Sequence, residues 1–180
     1  MGCSGWGWYH MSSHKDDSDR PLVLSCTEID EILSMRLIAN LATIDSDGGI
    51  HLLPMWFLRM NNDICIPTSS QTHKYRNLKS RPKASVMIDV SREGLNLKGV
   101  LIRGTVELVH GEEAHRINRS IHLKYVKPEA LSDMTVASYL SKGDNVTVKI
   151  HMDDVISWNL ADSKPGKAVQ LGGWFHSLDG

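Results

Sequence analysis

The segment ICIPTSSQTHKYRNLKSRPKASVMIDV, residues 64–90, carries the clearest pattern in this chain. Two runs rich in β-forming residues, 64–68 and 83–90, predict strands. Between them Thr72 is a suitable N-cap for a short helix over 73–80, and Pro82 predicts its end. The stretch 68–83 contains no acidic residue but five basic ones, Lys74, Arg76, Lys79, Arg81 and Lys83. The segment therefore predicts a strand–helix–strand unit with a local excess of positive charge.

This positive charge admits three interpretations from the residues alone. A helix N-terminus offers unpaired backbone N–H groups, and the Thr72 hydroxyl and the Lys74 ammonium would help it bind a phosphate monoester. Lys74 and Asn77 are three residues apart, so they share a face of the helix. A solvated basic helix is the ordinary alternative, because charged side chains usually face water. A nucleic-acid surface would need a wider basic area with interleaved aromatic residues, and only Tyr75 lies nearby.

The chain before this segment predicts one helix and two strands joined by turns. In the helix, over 27–36, Thr27 is the expected N-cap and Asp30 stands at the third position. Strands are predicted over 37–45 and 50–60, with a glycine-containing turn at 45–49 and a second turn at 61–63. Two closely spaced hairpin connections indicate an antiparallel meander.

The chain after this segment predicts further strands and two helices. Beyond a loop at 92–96, a long strand covers 98–110, in which Gly104 indicates a bulge. Helices are predicted over 111–126 and 128–143, the second with Pro128 in its first turn and Gly143 past its end. Residues 145–160 predict a final strand or strand pair. Roughly six strands with short helices indicate a small antiparallel barrel, and the GxGxxG of dinucleotide-binding folds is missing.

Composition indicates one globular domain of ordinary polarity, with 180 residues, a formal charge of −1 and 41% hydrophobic residues. No transmembrane run or secretory signal is visible, and the three widely spaced cysteines form no CxxC. We therefore expect neither a disulfide framework nor a zinc site, and a cytoplasmic location. The predicted organisation is a poorly ordered arm over 1–21, a domain over 22–160 and an irregular tail over 161–180.

Three other patterns have structural explanations beside functional ones. Pro54 in PMWF, residues 54–57, belongs at an edge or bulge, where free backbone groups can bind a flat heterocycle, although a plain edge strand with a buried Trp56 is commoner. His115 and His122 lie seven apart on a predicted helix, but no further metal ligand is evident, so no metal site is predicted. Cys65 lies within a strand and is expected to be inert. No catalytic residue is identified.

Taken in order, these motifs resemble the pyridoxamine 5′-phosphate oxidase-like split β-barrels, and most closely their flavin/deazaflavin oxidoreductase branch. The series is NLATID, HLLPMWF, the segment 64–90, GVLIRGTVELV and VISWNL, within roughly residues 28–160. The resemblance implies a mainly β fold with short helices, a six-stranded antiparallel split barrel. It also implies a homodimer that binds FMN, or alternatively the deazaflavin F420, in clefts at the dimer interface.

The same resemblance implies nine cofactor-binding residues. Thr72 and Lys74 match phosphate ligands, and Asn77 fits a K-x-x-N-L pattern. The remaining six match positions near the flavin ring or its side chain: Pro54, Met55, Trp56, Thr68, Ser69 and Trp158. His73 stands where pyridoxamine oxidases have an arginine, and their C-terminal Arg/His pattern is missing, which argues against oxidation of pyridoxamine phosphate itself.

The implied function is hydride transfer between the flavin and a small organic substrate. Such a reaction needs position and electrostatics from the protein but no nucleophile. A non-enzymatic flavin-binding module on the same fold is the alternative, because fold does not fix function. Neither a nucleic acid nor a membrane is expected as a partner, and the sequence does not identify the substrate.

Overall fold

The computed structural model describes residues 23–90, 97–140 and 144–173. The predicted loop at 92–96, the arm at 1–21 and Gly143 lie outside the described residues. The strands are β1 (Ala39–Ile44), β2 (Ile50–Met55), β3 (Leu58–Met60), β4 (Asp63–Thr68), β5 (Lys83–Asp89), β6 (Lys98–His110), β7 (Val146–His151) and β8 (Asp154–Asn159). The helices are α1 (Cys26–Ser34), α2 (His73–Ser80), α3 (Gly111–Tyr125), α4 (Met134–Leu140) and α5 (Lys164–Gly172), with a 3₁₀-helix at Pro128–Ser132.

All strand pairs are antiparallel, and the sheet follows the order β2-β1-β5-β6-β7-β4-β3 with β8 also paired to β6. The long strand β6 pairs with β5 and β8 through its first half and with β7 from Val106 onward. This shared strand lets the sheet curl on itself. The predicted class, a mainly β antiparallel split barrel with short helices, is confirmed.

The sheet has eight strands among the described residues, where six were predicted. The run 50–60 divides into β2 and β3 at Trp56 and Phe57, and the run 145–160 divides into β7 and β8. At the first break the Phe57 N–H donates to the Tyr125 hydroxyl at 3.2 Å, and that hydroxyl donates to the Leu37 carbonyl at 2.6 Å. A side chain from α3 thus replaces the missing strand pairing, which no local pattern could indicate.

Gly104 marks a close approach of two strands and not the predicted bulge. The register of β5 with β6 is continuous through the pair Ala84 and Gly104. A Cβ atom at position 104 would lie 1.6 Å from the His151 carbonyl oxygen. Glycine is needed here because β6 crosses directly against the end of β7.

The helix boundaries confirm some predictions and correct others. The N-cap of α1 is Ser25 and not Thr27, because Ser25 and Glu28 form a reciprocal capping box. Helix α2 begins and ends where predicted, with Thr72 as N-cap. The helix predicted over 128–143 divides at Asp133 into the 3₁₀-helix and α4.

The ends of the described chain differ from two further predictions. The tail expected to be irregular contains α5, which begins after the N-cap Ser163 and ends at Gly173 with a left-handed φ of 63°. Cys26 is disulfide-bonded, which the wide cysteine spacing did not predict. No helix within the described residues is long and apolar enough to cross a membrane.

The main core lies between the inner face of the sheet and α1. It is built from alternate residues of β1, β5 and β6 together with Ile29, Ile32 and Leu33 of the helix. A second cluster lies under α3, where Ala114 and Ile121 pack against Cys65 and border Trp56. This second cluster fixes α3 beside the ends of β2 and β4, where the candidate site is found.

Candidate functional site

A cleft of about 450 Å³ opens where the ends of β2 and β4 meet the start of α2, with α3 on the opposite side. This volume lies within the usual range for small-molecule sites. Thirteen residues line it: Pro54, Met55, Trp56, Pro67, Thr68, Ser69, Thr72, Lys74, Asn118, His122, Leu140, Asp144 and Asn145.

Lys74 is a cation that lines this cleft, and no carboxylate of the described residues forms an ion pair with it. The residue is only 9% exposed, and within the described ranges its ammonium has neither a hydrogen-bond acceptor nor a carboxylate partner. Burial lowers the pKa of Lys74 below its usual value, and desolvation is the only cause. A buried, unpaired ammonium is unfavourable, so an anion in the cleft would stabilise it.

Hydroxyl groups next to Lys74 form a connected chain. Thr68 Oγ1 lies 2.9 Å from Thr72 Oγ1, and the Thr72 hydroxyl donates to the Ser69 carbonyl at 2.8 Å. Thr72 Oγ1 also accepts a long hydrogen bond, 3.4 Å, from the Tyr75 N–H. The Tyr75 and Arg76 N–H groups both donate to Thr72, so the N–H groups of His73 and Lys74 are the ones that remain available to a ligand.

Asp144 holds the loop that leads into α2. Its Oδ1 accepts from the Ser69 hydroxyl and from the Ser70 N–H, each at 2.8 Å. The Ser70 backbone bond, followed by the Ser69 bond, lowers the pKa of Asp144, which is therefore ionised at neutral pH. This contact fixes the loop through a residue distant in the sequence.

The opposite end of the cleft is aromatic. Trp56 stacks on Tyr125 with ring centroids 4.9 Å apart and an interplanar angle of 2°. The His122 ring meets Trp56 edge-on at 6.2 Å. Burial, followed by the neighbouring His115, lowers the pKa of His122, so this imidazole is mainly neutral at pH 7. The wall therefore offers one flat surface and one neutral polar ring.

A buried amide network forms the back of the cleft. The Asn118 amide donates to the Val146 carbonyl at 3.2 Å and to Asn145 Oδ1 at 3.3 Å. Asn118 Oδ1 accepts from the Thr147 hydroxyl at 2.7 Å. These three bonds fix the orientation of the Asn118 amide and tie α3 to β7.

The structure brings together seven of the nine predicted site residues: Pro54, Met55, Trp56, Thr68, Ser69, Thr72 and Lys74. Asn77 does not line the cleft, because its amide donates to Thr43 Oγ1 at 3.1 Å and to Asp45 Oδ1 at 2.6 Å. Trp158 also lies elsewhere and packs over Gly99, where a Cβ atom would be 2.6 Å from Trp158 Cζ2.

The other basic residues of 68–83 do not line this cleft: Arg76, Lys79, Arg81 and Lys83. Arg76 donates to the Gln71 carbonyl at 3.2 Å, and Arg81 donates to the Ser46 carbonyl at 3.3 Å. The charge run therefore separates into one buried lysine in the cleft and a set of exposed cations outside it.

The family model described as "Pyridoxamine 5'-phosphate oxidase" matches residues 27–159, which include the sheet, the cleft and α2. The chain belongs to the pyridoxamine 5′-phosphate oxidase family. The resemblance seen in the sequence is thereby confirmed.

Solved structures place this pyridoxamine 5′-phosphate oxidase family member among split barrels with several functions. It is similar to the conserved hypothetical protein Rv2991 from Mycobacterium tuberculosis, with 26% identity and a TM-score of 0.65 over 82% of this chain and 90% of that one. An F420 reductase shares the fold with 20% identity and a TM-score of 0.55 over 70% of this chain and 94% of that one. HutZ, the heme storage protein from Vibrio cholerae, also shares the fold, with 16% identity and a TM-score of 0.57 over 75% of this chain and 96% of that one. No curated protein shows significant sequence similarity.

The family member's cleft also contains residues that sequence reasoning missed. Asn118, His122 and Leu140 come from α3 and α4, and Asp144 and Asn145 come from the segment before β7. Only the position of His122 on a helix was foreseen, because the approach of α3 to the strand ends depends on long-range packing. Cys65, by contrast, behaves as predicted, since burial raises its thiol pKa to about 12 and makes it unreactive.

Proposed function

We propose that this protein is a flavin-dependent oxidoreductase that binds FMN in the cleft and transfers hydride between the flavin and a small organic substrate. The observation that carries the proposal is Lys74, a buried cation without an anionic partner in a cleft bordered by hydroxyl groups and a helix N-terminus. Family membership supplies the cofactor class.

The Lys74 end of the cleft fits a phosphate. The ammonium gives a charge-assisted hydrogen bond, and the free N–H groups after Thr72 add partial positive charge. The first turn of α2 contains no acidic residue that would compete for this position. Asp144 keeps the loop 69–71 in place, so the donors are preorganised.

The Trp56 end fits a planar ring. Pro54 and Met55 belong to β2, which pairs only with β1 among the described residues, so one side of its backbone is free to bond a heterocycle. Trp56 is held by its stacking on Tyr125 and cannot easily turn away. The protein thus orients a ring and excludes water, while FMN when bound supplies the hydride chemistry.

His122 lies beside Trp56 and is the polar group best placed to contact a substrate. As a neutral imidazole it can donate one hydrogen bond and accept another. We propose that it orients the substrate. The residues do not restrict the substrate further than a small organic molecule.

F420 is the second candidate, because an F420 reductase shares this fold. Its acidic tail would require basic residues beyond the first phosphate position. The nearest cations on α2, Arg76 and Lys79, do not line the cleft, and Arg76 is engaged with a backbone carbonyl. This arrangement favours the shorter cofactor FMN.

We also propose a homodimer that buries the outward face of β1, β2 and β5. Ile50 and Leu52 are 77% and 60% exposed, and Ile44, Met87 and Pro54 extend the same face. Pro54 also lines the cleft, so a second copy docked here would border the cofactor. Ile50→Asp should halve the mass measured by light scattering, whereas Leu171→Asp on α5, which is 89% exposed, should not.

The function is tested by the absorption spectrum and mass of whatever co-purifies with the protein, followed by titration with FMN, F420 and haem. We expect a flavin spectrum, one FMN per chain, and bleaching of that spectrum by NADPH or NADH with re-oxidation on turnover. A Soret band, or a bound flavin that is never reduced, would contradict the proposal and indicate a binding module.

A further inference from the structure

A second polar cluster lies where the β1–β2 turn meets the outer side of the start of α2. Asp45, His51 and His73 each offer one ligand atom there, and these atoms lie within 4.8 Å of one another. None of the three lines the cleft. We propose that these side chains bind one divalent transition-metal ion of the Zn²⁺ class.

The backbone presents the three side chains from rigid positions. The turn is closed by the Asp45 N–H, which donates to the Gly49 carbonyl at 2.8 Å, and Gly48 takes the φ of 91° that the turn requires. His51 is the register partner of Thr43, so both side chains face the inner side of the hairpin, toward α2. His73 is the first residue of α2 after its N-cap.

His51 has a ring nitrogen that the protein leaves unsatisfied. Its Nε2 atom is buried and has no hydrogen-bond partner among the described residues. Buried polar atoms are normally bonded, so an unpartnered one calls for an explanation. The centroids of the His51 and His73 rings lie 4.8 Å apart, and a ring nitrogen of His51 lies within 4.8 Å of the ligand atoms of Asp45 and His73. A metal ion at this point would satisfy it.

The Asp45 carboxylate is oriented by a hydrogen bond from a residue that is not itself one of the three ligands. Asp45 Oδ1 accepts from the Asn77 amide at 2.6 Å, and that amide also donates to the Thr43 hydroxyl at 3.1 Å. Outer hydrogen bonds of this kind fix the ligands of metal sites. His73 Nε2 lies 3.2 Å from the same oxygen, which is close to the ligand–ligand separation that bonds of about 2.1 Å to a tetrahedral ion produce.

The donor set and its exposure are compatible with zinc. Two imidazoles and one carboxylate suit Zn²⁺, and a water molecule can complete four-coordination. The His73 side chain is 50% exposed, so it can rotate to shorten the longest separation and the ion can enter from solvent. An anion would be opposed by the Asp45 carboxylate, which lies within 4.8 Å of both histidine ligand atoms, so phosphate is the disfavoured occupant.

The site is independent of the proposed flavin chemistry. His73 turns toward Asp45, while its neighbour Lys74 turns into the cleft. Failure of flavin binding would therefore leave the metal proposal intact, and failure of metal binding would leave the cofactor proposal intact.

The test is isothermal titration of the full-length, chelator-treated protein with Zn²⁺, and of its His51→Gln and His73→Gln variants. We expect one Zn²⁺ per chain and an affinity at least about tenfold lower in each variant. His115→Gln is the matched control, because His115 is exposed on α3 and outside the cluster. A His10→Gln/His14→Gln variant checks the histidines of residues 1–22, and both controls should keep the wild-type affinity.

The proposal is overturned if the wild type binds no Zn²⁺, if either cluster variant keeps full affinity, or if the His10/His14 variant loses binding. A parallel titration with inorganic phosphate tests whether the cluster binds an anion instead of a metal ion. Phosphate binding that disappears in His51→Gln, without Zn²⁺ binding in the wild type, would identify an anion site instead. Because His73 is exposed, His73→Gln should fold, and thermal unfolding verifies this for every variant.

Discussion

Helices α1 and α2 begin in contrasting ways. At α1, Ser25 accepts from the Glu28 N–H while the Glu28 carboxylate accepts from the Ser25 N–H at 2.8 Å, and Lys98 pairs with the same carboxylate at 3.0 Å. At α2, Thr72 makes one long capping bond of 3.4 Å.

The two helix starts also differ in the charges of their first-turn residues. The first turn of α1 contains the acidic residue Glu28, whereas the first turn of α2 contains no acidic residue and includes the buried, unpaired Lys74. The start of α1 is satisfied by its own residues. At the start of α2 the Lys74 ammonium has no carboxylate partner among the described residues, so this helix start is suited to an external anion.

The largest effect expected at α2 is on ligand affinity. Lys74→Ala should weaken FMN binding by about 1.5–3 kcal/mol, the scale of a hydrogen bond to a charged group, which is about 10- to 150-fold in Kd. Folding should remain nearly intact, since the ammonium has no partner to lose. Fluorescence titration measures the affinity, and Lys79→Ala, on the exposed face of the same helix, is the control that should keep it.

Asn77 should show the opposite behaviour, with an effect on stability. Asn77→Ala removes two hydrogen bonds, one of them to the Asp45 carboxylate, and should lower the free energy of unfolding by about 2 kcal/mol. Arg76→Ala on the outer face should change it by less than about 0.5 kcal/mol. Urea unfolding measures both. Equal values for the two variants would mean that the inner face of α2 has no structural role.

The two caps should also differ in their contribution to stability. Ser25→Ala breaks the capping box and should cost about 1 kcal/mol. The capping part of the loss should be smaller in Thr72→Ala, because the bond from the Tyr75 N–H is long, although this variant also loses the bonds of the hydroxyl with Thr68 and the Ser69 carbonyl. Thermal unfolding of the two variants compares them directly, and a loss for Thr72→Ala that exceeds the Ser25→Ala loss by more than those two bonds contribute would contradict the contrast between the helix starts.

The smallest expected effect is the pH dependence of the α1 cap. The Ser25 backbone N–H, followed by Lys98 and the Ser25 hydroxyl, lowers the pKa of Glu28 from 4.5 to about 2. The stabilisation is therefore present above pH 4.5 and lost as the pH falls toward 2. Solvent screening keeps it to about 1 kcal/mol at most. Glu28→Gln should be less stable than wild type at pH 7, and this difference should disappear near pH 2.

Local patterns predicted α2 well and α1 less well, for identifiable reasons. Thr72 is a strong start signal and Pro82 a strong stop signal, and α2 occupies the eight residues 73–80 between them, with Arg81 as its C-cap. At α1, Thr27 is as good a cap by type as Ser25, and only the reciprocal bond with Glu28 decides between them. A sequence pattern ranks residue types as N-caps, but it does not show which side chain forms the reciprocal hydrogen bonds of a capping box.

The cleft was predictable where it is built from short contiguous stretches of the sequence. The segment 68–74 supplies Thr68, Ser69, Thr72 and Lys74, and the segment 54–56 at the end of β2 supplies Pro54, Met55 and Trp56. The opposite wall was missed, because Asn118 reaches it through the packing of α3 and its bond with Thr147, while Asp144 is held there by its bonds with Ser69 and Ser70. Long-range contacts of this kind leave no local signal.

The difference in affinity between FMN and riboflavin tests the central claim most directly, because the two ligands differ only in the phosphate. The claim is that the start of α2 binds the cofactor phosphate through Lys74. We expect the wild type to bind FMN about 10- to 150-fold more tightly than riboflavin, and Lys74→Ala to bind both with similar affinity. Equal affinities in the wild type, or a preference for FMN that survives in Lys74→Ala, would contradict the claim.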